Sequence, residues 1–132
     1  MRLRNELRSD DGQALVEMAM VLPILIAVVL GIAQFGVAYN NYVTLTDATR
    51  AGARKAAVSR FVGDAGASAV ATVKSSATNL TASKLSVSVT STNWTVPGSD
   101  VTVTASYPYS INILGWTVKS GDLTSTQKER LE

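Results

Sequence analysis

The chain has 132 residues, a formal charge of +2, a pI near 9.1, and neither cysteine nor histidine. That composition excludes thiolate and imidazole metal sites, cysteine nucleophiles, disulfides and histidine-based triads, and so mild a charge gives no reason to expect a nucleic-acid partner. There is room for one small domain, but the hydrophobic residues, 46% of the total, are spread unevenly.

In chain order, residues 1–12, "MRLRNELRSDDG", form a charged leader carrying Arg2, Arg4 and Arg8. No charge occurs between Glu17 and Asp47, and from Met18 to Ala33 nearly every residue is aliphatic. A bilayer core of about 30 Å is crossed by roughly 20 helical residues, so residues 18–39 are long enough to span one. A single soluble domain of this size offers too little to bury a helix of that length. Pro23 lacks the N–H that would bond Ala19, which predicts a kink or a loosened turn there, usable as a hinge or merely tolerated.

Residues 40–60 read as a continuation of the helix, being rich in alanine and free of proline. An unbroken helix over residues 13–60 is roughly 70 Å long at 1.5 Å per residue, and its second half stands outside the bilayer. Ala27 and Gly31 make a small-residue pair at four-residue spacing, and Ala48, Gly52 and Ala56 repeat the spacing further on. Such stripes allow close helix approach, either to another subunit or to the chain's own outer domain. Phe35, Tyr39 and Tyr42 mark the outer membrane interface. Arg50, Arg54, Lys55 and Arg60 read as a solvated helix face or as a contact for anionic groups.

Residues 61–132 are rich in serine and threonine and read as a small extracytoplasmic head. Gly63 can close the long helix, and Asp64 is placed to N-cap a second one reaching about Leu80. "KLSVSVTS" and "VTVTASY" alternate with period two, setting Leu85, Val87 and Val89 against Val101, Val103 and Ala105 in a hairpin turned by "TVPGSD". Ile111, Ile113, Leu114 and Trp116 are expected to pack over it. The tail "GDLTSTQKERLE" is expected to be a short helix or loose. Asn79 and Asn93 fall in glycosylation-type triplets read as chance. The fold class is therefore α+β, with a long spanning helix, a small second helix and a hairpin head.

Three readings compete for the leader and the apolar run. One is an uncut signal-anchor. Another is a secretory signal peptide cleaved after Ala38, but the apolar core is longer than usual and Glu17 has no place in it. The third is cleavage after Gly12, which makes Gln13 the new N-terminus and Glu17 its fifth residue. A carboxylate at the edge of a spanning helix needs a partner, and a newly exposed α-amino group is a cation at matching depth. Glu17 also suits the positive end of the helix dipole without any such role.

"G|QALVE" followed by an apolar run resembles the processing site of type IV prepilins. With Leu22-Pro23 and the block "TRAGAR" at residues 49–54, the stretch is similar to the TadE-like family of pilus-assembly proteins. The resemblance implies a minor pilin or pseudopilin of the tight-adherence (Flp-type) pilus, cut at Gly12 by a prepilin peptidase and using Glu17 in assembly. It implies as partners other pilin subunits and an assembly platform in the bacterial inner membrane. It also favours a cytoplasmic N-terminus, on which the balance of basic residues around the span is silent. No cofactor or metal is expected. No group of residues offers a base, a nucleophile and an orienter together, so no enzymatic activity is expected. A membrane-anchored adhesin or sensor, never processed, is the alternative.

Overall fold

The computed structural model describes residues 3–59, 63–113 and 115–132, with side chains from residue 12 onward. Arg60 and Leu114, and the side chains of Arg2, Arg4 and Arg8, lie outside the described residues. Helix α1 (Leu3–Val58) leads into helix α2 (Ala65–Ser76), a 3-10 turn at Ala82–Lys84, and strands β1 (Ser86–Ser91), β2 (Asp100–Ile113) and β3 (Trp116–Arg130). The strands form an antiparallel meander in the order β1-β2-β3.

α1 is helical without interruption through Gly12 and through Pro23. Its upper part buries Leu45, Ala48, Thr49, Gly52, Ala53, Ala56 and Ala57, whose spacings of three and four keep them on one stripe. Nearly all are small, so other elements approach the helix axis closely. Thr49 is tolerated inside because its hydroxyl donates to the carbonyl of Leu45 at 2.6 Å.

α2 lies against that stripe. Asp64 caps it as expected, its carboxylate accepting from the Ala67 N–H at 3.1 Å. Ala65, Ala69 and Val73 form its buried face. The helix ends at Ser76, short of Leu80: "KSSATN" concentrates residues whose side chains compete for backbone groups, as Ser75 does by donating to Thr72 O. Leu80 is buried all the same, in the turn that follows.

β1 and β2 pair as the expected hairpin with the alternating residues on one face, Val87 opposite Ala105 and Val89 opposite Val103. Val101, Val103 and Ala105 are fully buried against the helices. The connection between the strands turns at Gly98, whose φ of 81° is open to glycine at little cost.

Two expectations for the rest of the head are overturned. The segment from Tyr107 to Ile113 does not fold back over a hairpin; it extends β2 well past Ser106, where β1 stops pairing. Pro108 fits because of parity. The backbone of Asp100 points to the β1 side, accepting from Thr92 N, so even positions of β2 share that side. The missing N–H of Pro108 therefore falls on an edge with no neighbouring strand.

The tail, too, is ordered, as β3, which adds a third strand to the expected hairpin. Its inward positions are Leu123, Ser125 and Gln127, only one of them apolar, so the alternation of a half-buried strand was absent from the sequence. Backbone pairing with β2 along nearly its whole length holds it instead. Leu131 is then buried, its N–H donating to Ser99 O at 2.8 Å, and Glu132 N donates to Ala57 O at 3.1 Å, tying the strand end to the top of α1.

Candidate assembly and membrane-facing site

Below the head, α1 has no partner. From Gly12 to Leu30 every side chain is exposed except that of Ala27, which is half-buried. Met18, Met20, Val21, Ile24, Leu25, Val28 and Val29 all project outward, so the apolar surface runs around the helix rather than along one stripe. A helix apolar on all sides suits a lipid or protein surround, not water. The described helix is long and apolar enough to cross a membrane, and it fits a single-pass anchor.

At the start of this surface, a Cβ added to Gly12 would meet nothing within 4 Å. The Gln13 amide donates to the Glu17 carboxylate at 3.1 Å, one helical turn on. Among the described side chains Glu17 has no basic partner: the ion pairs there are Arg50 with Asp47 and Lys128 with Asp100. The structure thus places Gly12 and Gln13 one helical turn before Glu17 on the same exposed helix. Pro23 lies six residues further along the same exposed helix.

The small residues divide between two surroundings. Ala48, Gly52 and Ala56 are covered by the chain's own head. At Gly52 an added Cβ would collide with Val73 Cγ2 and stand 3.2 Å from the Ala69 carbonyl oxygen, so α2 takes the space the missing side chain leaves. At Gly31 it would stand 3.7 Å from Ile113 Cδ1, near the end of the β2–β3 hairpin. Arg50, Arg54 and Lys55 are exposed, with Arg50 3.5 Å from Asp47. Asn93 is occupied in a turn, its Oδ1 accepting from Thr95 N and Thr95 Oγ1.

One residue was overlooked in the sequence. Gln34 exchanges two hydrogen bonds with the backbone of Asn112, its Oε1 accepting from Asn112 N at 2.6 Å and its Nε2 donating to Asn112 O. It behaves as a one-residue strand partner on the free edge of β2. The signal was available: Gln34 is the single side-chain amide between Glu17 and Asn40. Just above it, Phe35, Tyr39 and Tyr42 face Tyr109, Ile111, Lys119 and Leu123 across an apolar cleft of about 410 Å³. The aromatic residues read as interface markers are at the junction of helix and hairpin.

Comparison with known protein families matches residues 12–54 to the TadE-like protein family. No curated protein and no solved structure matches the chain. The matched segment starts at Gly12, takes in the bare stretch of α1 to Leu30 and most of the buried stripe, and stops short of α2 and the sheet.

Proposed function

We propose that this chain, TadE-like over residues 12–54, is a prepilin-like subunit of the tight-adherence pilus machinery, a minor pilin or pseudopilin with no catalysis of its own. It is cut after Gly12 and assembles through the lower half of α1. The observation that carries this reading is the extent of the match: it opens at Gly12 and covers the stretch of helix that the head leaves bare. A carboxylate one turn along that bare helix, with no basic partner among the described side chains, has a reason to associate with the α-amino group that cleavage creates on its own or a neighbouring subunit. The partners are then other pilin subunits, the prepilin peptidase and an assembly platform, and the chain sits in the inner membrane with its N-terminus in the cytoplasm and its head outside.

One observation favours a second reading, an uncut anchor carrying a surface-binding head. α1 is helical across Gly12 and Gln13, so a peptidase must open that turn before it reaches the carbonyl. Glycine eases the opening, since in a helix interior it is about 1 kcal/mol less favourable than alanine. Intact mass and N-terminal sequencing of protein from native membranes separate the two. A chain beginning at Gln13 is expected; a functional chain beginning at Met1 would establish the anchor and overturn the pilin reading.

A further inference from the structure

The position of the β2–β3 hairpin along α1 has a consequence for the membrane. With the inner boundary of the hydrocarbon at Met18, a core of about 30 Å ends near Val37 at 1.5 Å per residue. Gly31 and Gln34 both fall below that level, Gly31 by roughly 9 Å and Gln34 by roughly 4.5 Å. Ile113 touches the helix at Gly31, and Asn112 is bonded to Gln34. A bilayer that holds α1 over this length therefore also meets the end of the hairpin.

The chemistry of that end suits lipid. From Val101 to Val118 there is no charged residue. Trp116, opposite Ile113 at the turn, is 81% exposed, and Val118, left out of register at a bulge in β3, is 63% exposed. Higher up, Lys119 pairs across the strands with Ile111 and borders the cleft with Tyr39, Tyr42 and Tyr109. Aromatic rings and a lysine whose ammonium reaches outward from an apolar stem are the residues that occupy a headgroup boundary.

Part of the polar backbone at the hairpin end is also provided for, on the β2 edge that Gln34 reaches. In hydrocarbon an open strand edge is costly because water cannot complete its hydrogen bonds. Here Gln34 satisfies both backbone groups of Asn112 on that edge. The Asn112 side chain accepts from Thr117 Oγ1 at 2.7 Å and donates to Ser110 Oγ at 3.4 Å.

We propose that the end of the β2–β3 hairpin, residues 111–113 and 115–118, is a second membrane contact that inserts Trp116 and Val118 into the outer phospholipid leaflet beside α1. The head is thereby held at a set height and orientation on the lipid surface. Gln34 is the residue that locks the hairpin to the helix at this depth. The inference rests on the reading of α1 as a membrane span.

The test uses the full chain reconstituted in phosphatidylcholine vesicles containing a fraction of phosphatidylglycerol. A Trp94→Phe variant leaves Trp116 as the single tryptophan. Its emission is expected to be blue-shifted, quenched several-fold more strongly by lipids brominated near the headgroup than by those brominated at the chain ends, and shielded from iodide. A control carrying Trp94→Phe, Trp116→Phe and Val28→Trp reports α1 itself and is expected to be quenched by deep bromines. Control quenched and Trp116 unquenched in a water-like environment overturns the hairpin contact alone. Neither quenched overturns the span, and the inference with it. Trp116 shielded from iodide yet untouched by any bromolipid means that protein covers it, and the lipid contact fails. Adding Gln34→Leu is expected to lower the quenching of Trp116 while leaving the control unchanged; undiminished quenching would remove Gln34 from the account.

Discussion

The two halves of α1 are both rich in small and aliphatic residues, yet they meet different surroundings. In the upper half most of the apolar residues keep to one stripe, Leu45 through Ala57, and that stripe is buried under α2 and the sheet. In the lower half, Gly12 to Leu30, they cover every side of the helix and almost none are buried. Hydrophobicity in the first case folds a domain; in the second it does nothing for that domain and has to be satisfied from outside. The difference also shows in side-chain size. Beyond Leu45 and Thr49 the stripe is alanine and glycine because other elements of the same chain press against it, whereas the bare half carries mostly leucine, isoleucine, valine and methionine.

This contrast is most sharply tested by truncating the same residue type in each half. Leu45→Ala removes a fully buried side chain and is expected to lower the stability of the head by about 2–5 kcal/mol, read from chemical denaturation in detergent. Leu25→Ala, in the bare half, is expected to change it by less than about 0.5 kcal/mol. Comparable losses in the two would mean that the halves are not distinct.

A smaller effect is expected at the closest approach. Gly52→Ala should destabilise the head by about 1–3 kcal/mol, despite the better helix propensity of alanine, because the new Cβ collides with a β-branched side chain that cannot turn aside. A gain in thermal stability would show that α2 is not held against α1 as described. Smaller again, Asp64→Ala removes the N-cap of α2 and should cost about 1 kcal/mol in the same denaturation measurement.

Much of this arrangement was readable in the sequence. The helix long enough to span a membrane announces itself through the absence of charge after Glu17, α2 through Asp64 and its apolar spacing, and the pairing of β1 with β2 through strict alternation. Three features were hidden for physical reasons. β3 presents Ser125 and Gln127 inward, so no hydrophobic period marks it; it is held by backbone bonds, which leave no trace in side-chain pattern. The small stripe at Ala48, Gly52 and Ala56 signals close packing but not the identity of the neighbour, since a second subunit and the chain's own α2 demand the same residues. The site in the lower half lies at the other extreme. Gly12, Gln13 and Glu17, the residues proposed for processing and assembly, could be singled out together because they lie within two turns of one helix, where sequence distance is spatial distance. Gln34 could not be interpreted that way, its partner being a backbone 78 positions away.

The central claim is that the bare half of α1 exists for association and that Glu17 is its electrostatic anchor. The direct measurement is a Glu17→Ala chain expressed in place of the native one. The predicted result is a chain still cut after Gly12, still membrane-inserted and with an unchanged melting temperature of the head, but absent from assembled pili and from crosslinks to neighbouring subunits. Pili formed in normal number, with the variant crosslinked into its usual assemblies, would contradict it.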